Sequence, residues 1–272
     1  MAVTAPISYM IVTSTLYLLQ GVILGLSVSI PLFLTSAGAN WQHQGTYNFV
    51  HYPFSFKLLW APIIDVFYIR RFGRRQTWLL PIQLLIGIGM IIFSFYIDAL
   101  ISNLRIVSLT VVVFLIIFLT ASQDVCVDGW TLSLFASSNI VFQSTSQTIG
   151  QTLGRFIGTP FLMTFESTNF TNRYIRKPLS LASKNTGLFT LSQFVLFWGI
   201  AFIIVTCLVA FIFRESRLKL AAEQQNLKFF ETYISIFKIL KKKCMLQLVS
   251  ILLLSPFGYA ATYFATNIAL VR

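Results

Sequence analysis

The sequence predicts an all-α fold, a polytopic bundle of membrane-spanning helices. Three observations predict it. Of 272 residues, 56% are hydrophobic and 10% charged, whereas soluble domains carry about a quarter charged residues. Apolar runs of about the length needed to cross a bilayer, roughly 17–25 residues, recur along the chain. Basic residues cluster between those runs, where they mark loops facing the cytosol. The net charge of +12 is read in that light, and nucleic acid is not an expected partner.

Seven spans are expected, at Tyr9–Leu34, Phe49–Ile64, Trp78–Ile97, Ile106–Ala121, Ile140–Phe165, Leu188–Phe213 and Met245–Val271. In the first, Gly21 and Gly25 are four apart and Ser29 continues their face, so a neighbouring helix can approach closely. The second carries Pro53 and Pro62 near its ends, tolerated where neighbours satisfy the freed carbonyls. The fifth is unusually polar, and Gly150, Gly154 and Gly158 form a smooth ridge along it. The seventh is interrupted by Pro256 and Gly258. The first run is far longer than a signal-peptide core of ~7–15 residues and no Lys or Arg precedes it, so Ala37-Gly38-Ala39 is not expected to be a cleavage site.

The loop after span two holds Arg70, Arg71, Arg74 and Arg75, and the segment after span six holds eight Lys and Arg between Arg214 and Lys243. Alternating helices put both on one side, the cytosol, together with the N-terminus. The opposite loop, 166–187, is also basic, but contains Asn169-Phe170-Thr171, a glycosylation sequon that fits a lumenal or extracellular face. The expected division is a six-span lobe (1–213), a basic cytosolic connector (214–244) and the first span of a second lobe (245–272).

Few polar residues fall inside the spans. Lys57 lies near the middle of span two, and an intramembrane charge faces a cavity or a partner. Two readings stay open: Lys57 meets an anionic substrate, or it pairs with Asp124 or Asp128. In span five, Gln147, Gln151 and Arg155 recur every four residues, a stripe of donors whose guanidinium fork suits phosphate or carboxylate. Asp124 and Asp128 share a helix face at the cytosolic end of span four, as a proton relay or as a structural cluster with the arginines. Asp65 with Arg74 and Arg75 reads as a lock between helices.

His43 and His51 flank the first lumenal turn. A membrane acyltransferase would use a His as general base, but neither has a nucleophile in a recognisable arrangement. No Gly-rich phosphate loop follows a strand. Cys126, Cys207 and Cys244 have no metal spacing and are read as free thiols. No metal or cofactor is expected.

Four stretches in this order resemble the acetyl-coenzyme A transporter family. They are Tyr52–Asp65, then Phe72-Gly73-Arg74-Arg75, then Gln123-Asp124 with Val127-Asp128-Gly129-Trp130, then Gly150-Gln151-Thr152 with Gly154. Gly25–Leu32, Glu166-Ser167 and Phe197-Trp198-Gly199 add to the resemblance, which reaches to about Ser255. The Asp65 and Gly-Arg-Arg ending is itself similar to the loop between spans two and three of major-facilitator transporters. The resemblance implies a multi-pass protein of the endoplasmic reticulum membrane that brings cytosolic acetyl-CoA into the lumen. Bacterial muropeptide permeases share the Lys57–Pro62 and Asp124–Asp128 elements, so the substrate does not follow from those alone. The family has about five further spans, so a truncated form is expected. The partners expected of such a form are a full-length copy or a second copy of itself, and the alternative to a transporter is a non-transporting form that acts by helix interaction with a full-length partner.

Overall fold

The computed structural model describes residues 7–67, 76–135, 140–212, 229–252 and 254. Every regular element among them is helical, as the fold class predicts. Two compact units divide the chain, Met1–Glu223 and Gln224–Arg272.

The first unit contains the long helices α1 (Ile7–Ser36), α5 (Gln76–Ser102), α6 (Ile106–Phe135) and α10 (Leu191–Ile212). These four are long and apolar enough to cross a membrane. Thirty residues at 1.5 Å each make α1 and α6 roughly 45 Å long, more than a bilayer's hydrocarbon core. Many of their large apolar side chains are exposed, among them Phe95, Val107 and Phe211. That surface suits lipid, and the chain is a multi-pass membrane protein.

Spans two and five are helical but interrupted. Between α1 and α5 the chain forms α2 (Trp41–Tyr47), a 3-10 turn at Asn48–His51, α3 (Tyr52–Phe56), a 3-10 turn at Lys57–Leu59 and α4 (Ala61–Val66). Pro53 and Pro62 open α3 and α4. Proline has no N–H, and its ring collides with the carbonyl four residues back. For Pro62 that residue is Leu58, so the helix tightens into the 3-10 turn there. Span five becomes α7 (Ile140–Phe156), a π-helical turn at Ile157–Phe161 around Pro160, and α8 (Leu162–Glu166). The wide turn lets the Leu162 N–H reach the Ile157 carbonyl past the proline.

The core forms where α1 lies along α7 and α5 lies along α10, with α6 packed against α1 and α5. Glycines set the first pairing. A Cβ on Gly21, Gly25, Gly150, Gly154 or Gly158 would fall within 2.2–2.7 Å of a backbone oxygen of the facing helix. Ser29 and Thr159 then donate across it, to the Gly158 carbonyl at 2.7 Å and the Gly25 carbonyl at 2.8 Å. Gly87 and Gly199 make the equivalent close approach between α5 and α10.

Pro31 lies inside α1 and cannot donate to the Ser27 carbonyl. The buried Tyr47 hydroxyl does so instead, at 3.0 Å. A helix defect in span one thereby anchors the segment that leads into span two.

After α8 the chain continues through α9 (Thr168–Phe170) and a π-helical turn at Thr171–Arg176. The buried Arg176 guanidinium gathers this region, donating to Asn172 Oδ1 and the Thr186 carbonyl at 2.7 Å each and to the Gly187 carbonyl at 2.8 Å. The second unit contains α11 (Phe229–Leu240) and an apolar helix at Lys243–Leu252. Most of span seven lies outside the described residues.

Candidate functional site

The site assembles from α1, α6, α7 and the broken span two. Pro62 creates the 3-10 turn, and the turn places Lys57 against α6. The Lys57 ammonium forms an ion pair with Asp124 Oδ2. The partners sit differently, since the Lys57 side chain is 36% exposed and that of Asp124 only 3%. The other carboxylate oxygen of Asp124 accepts from Gln20 Nε2 of α1 at 2.6 Å. Lys57 also faces the Phe54 ring at 5.9 Å. Next to the turn, Trp60 donates to Ser122 Oγ at 3.1 Å and packs on Phe118 at 4.8 Å. These contacts pin the turn to α6.

One helical turn further along α6, Asp128 Oδ1 accepts from the Tyr17 hydroxyl at 2.7 Å and from Gln147 Nε2 at 3.3 Å. Tyr17 precedes Gln20 by three residues, while Asp128 follows Asp124 by four. The two helices therefore run antiparallel, with two polar rungs between them. Buried Gln123 completes the layer, its amide reaching the Leu16 carbonyl at 3.5 Å. Amide oxygens of Gln20 and Gln123 have no hydrogen-bond partner among the described residues.

The structure brings Lys57 to Asp124 and Gln147 to Asp128. Span four extends well past its expected end at Ala121, because α6 continues to Phe135. Asp124 is therefore buried in the bundle, held by residues of α1 and span two. In the donor stripe of span five, Gln147 meets an acid from a different helix, which the stripe's own sequence could not reveal. Gln151 is half-buried, and its side chain makes no hydrogen bond among the described residues. Arg155 is exposed, with no ion pair or hydrogen bond among them. Asp65 is half-buried on α4, whereas Arg74 and Arg75 lie outside the described residues. His43 lies on α2 and His51 on the following 3-10 turn. Asn169 is exposed on α9, while the sequon's Thr171 is buried and donates to the Phe165 carbonyl at 3.2 Å. Cys126 is buried, and Cys207 and Cys244 are exposed free thiols.

Sequence reasoning missed Tyr17 and Gln20. A lone amide inside the apolar run of span one was the available signal for Gln20. Tyr17 gave none, because a tyrosine in a span also serves as plain core.

Glu166 is the last residue of α8, one position past the expected end of span five at Phe165, and is partly buried. Burial raises its carboxyl above the ordinary 4.5, and the nearby Asp98 charge adds to the effect.

The sequence that forms these elements matches one known family. Residues 8–229 match the family model described as acetyl-coenzyme A transporter 1. The chain belongs to the acetyl-coenzyme A transporter family. An uncharacterized protein of Schizosaccharomyces pombe is 38% identical over 249 residues, 90% of this chain and 46% of its own length. An uncharacterized membrane protein of Saccharomyces cerevisiae is 28% identical over 305 residues, 94% of this chain and 54% of its own length. This family member thus spans about half the length of the curated relatives it matches. Anhydromuropeptide permease of Escherichia coli is 28% identical over 144 residues, 50% of this chain and 28% of its own. No solved structure matches the chain. The family's description and the name of the Escherichia coli relative are both those of membrane transporters.

Proposed function

We propose that the chain is the N-terminal lobe of a major-facilitator transporter that moves acetyl-CoA from the cytosol into the endoplasmic reticulum lumen. In this reading 1–213 is the lobe, 214–244 the cytosolic connector and 245–272 the first span of the second lobe. The family's description supports acetyl-CoA as the cargo. The observation that carries the reading is Lys57, a partly exposed intramembrane cation held by a buried carboxylate. A phosphate or carboxylate of the substrate meets the exposed side of Lys57 and competes with Asp124 for it. Arg155, with Gln147 and Gln151 on its face, offers a second anchor through its planar fork. Asp65 with Arg74 and Arg75, and Asp124 with Asp128, act as the lock between conformations. Asn169 is the candidate glycosylation site on the lumenal face.

Alternating access needs two lobes rocking about a midplane site. A lobe alone binds substrate more weakly than the full transporter, and completes its site by pairing with a full-length copy or by self-association. A second reading, a muropeptide carrier, is favoured by the match to the Escherichia coli permease.

Equilibrium binding of labelled acetyl-CoA to the chain in lipid nanodiscs tests the proposal. Competition by CoA and not by an anhydromuropeptide is expected, with at least a tenfold loss in Lys57→Ala and Arg155→Ala. Competition by the muropeptide alone would select the second reading. Binding unchanged in both variants would remove those residues from the site.

A further inference from the structure

The second unit carries a helix whose surface is divided. On α11, Ile234, Phe237 and Ile239 are exposed, and so is Lys238. Tyr233, Phe237 and Leu240 follow one another by four and three residues, which aligns them on one face. Lys238 lies on another, and Lys241 and Lys242 follow in the turn after the helix. Lys241 borders the apolar face, with its ammonium 4.8 Å from the Phe237 ring centre. The helix ends at a turn, where the Lys242 N–H donates to the Ile239 carbonyl at 3.0 Å. The helix Lys243–Leu252 then begins, and beyond Lys243 it contains no charged residue. Leu246, Leu248, Ile251 and Leu252 on it are exposed.

We infer that α11 lies in the plane of an anionic bilayer surface, with its apolar face toward the acyl chains and Lys238, Lys241, Lys242 and Lys243 at the headgroups. Water does not suit a face that carries Ile234 and Phe237 at more than half exposure, and hydrocarbon does not suit four ammonium groups. The interface satisfies both, and a cluster of lysines on an amphipathic helix draws it to anionic lipid. Continuity supports the same occupant, because the lysines mark the point where the chain turns into a segment apolar enough for the hydrocarbon core. The cation over Phe237 also shows how a lysine stem lies along that face while its head stays at the polar edge. The inference does not depend on which solute is transported.

The test uses the full chain carrying Cys207→Ser and Cys244→Ser, with an environment-sensitive fluorophore on Phe237→Cys or Lys238→Cys. The protein is placed in nanodiscs of phosphatidylcholine, with or without phosphatidylserine. Position 237 is expected to show blue-shifted emission and quenching by lipids spin-labelled near the headgroup, several-fold stronger with phosphatidylserine. Position 238 should remain water-like. Reversal of the four lysines to Glu should abolish the phosphatidylserine dependence. Water-like emission at 237 in both membranes would overturn the inference. So would blue-shifted emission that lipid quenchers cannot reach, which would mean that protein covers the face. Quenching at 237 that ignores both phosphatidylserine and charge reversal would overturn the assignment to anionic lipid.

Discussion

Gly154 of α7 and Gly21 of α1 meet at a separation that leaves no room for a side chain. A Cβ on Gly154 would stand 2.7 Å from the Gly21 Cα and 2.2 Å from the Leu18 carbonyl oxygen. Both obstacles are backbone, so the only relief is to part the helices. Parting them would stretch the Ser29 and Thr159 hydrogen bonds that cross the same seam.

Gly154→Ala is therefore expected to destabilise the bundle by about 1–3 kcal/mol, the usual cost of overpacking, and Gly154→Leu by more. Gly45 is the control, because a Cβ there meets nothing within 4 Å. On helix α2, Gly45→Ala should be neutral or stabilising by roughly 0.5–1 kcal/mol. Thermal unfolding in mild detergent separates the two. Equal midpoints for Gly154→Ala and the parent chain would refute the tight seam.

The Lys57–Asp124 pair should respond asymmetrically. Lys57→Met leaves Asp124 buried with Gln20 as its remaining side-chain donor among the described residues. Breaking a buried pair in that way costs about 3–5 kcal/mol. Asp124→Asn leaves Lys57, whose partly exposed ammonium can find other partners, and should cost nearer ~1 kcal/mol, as for one net hydrogen bond. Denaturant titration of both variants and of the double variant measures the coupling. Equal losses in the two single variants would mean that the difference in burial does not govern the pair.

Much of this was legible from residue types at helical spacing. Gly21 and Gly25, and the ridge Gly150, Gly154 and Gly158, announce close contact because small residues at that spacing serve little else in a span. The sequence also proposed Lys57 with Asp124 as one of two readings, since an intramembrane charge needs an answer. Three things were hidden. The true end of α6 was obscured because Ser122, Gln123 and Asp124 look like a helix leaving the membrane, when they face partners on other helices. The contact between Gly87 and Gly199 was missed because each is a lone glycine in its packing face, without the repeat that marks α1 and α7. The use of Tyr47 depends on a carbonyl vacated twenty residues away, and no local pattern reports that.

That hydroxyl gives a third prediction. Tyr47→Phe keeps the ring but leaves the Ser27 carbonyl without the donor that replaces the missing Pro31 N–H. An unsatisfied buried acceptor costs about 1–3 kcal/mol. In a Pro31→Ala background the backbone N–H returns, and the same Tyr47→Phe change should cost much less. A double-mutant cycle on unfolding free energy reads this directly. Additive losses would show that Tyr47 acts only by packing.

Glu166 supplies a pH dependence whose sign follows from its surroundings. Its folded carboxyl titrates above the ordinary 4.5, first because of burial and then because of the Asp98 charge. The folded state thus binds the proton more tightly than the unfolded chain. Its contribution is fully present below pH 4.5 and is lost as pH rises through the folded value, leaving the ionised group a liability at neutrality. Glu166→Gln removes that liability. Its unfolding midpoint should exceed the parent's at pH 7, and the gap should close as the pH falls below the ordinary carboxylate value. Unfolding followed by intrinsic fluorescence across that range, with Asp98→Asn as a second variant giving a smaller rise, tests both causes. A Glu166→Gln variant less stable than the parent at neutral pH would show that the carboxylate is held by a favourable contact that outweighs its burial.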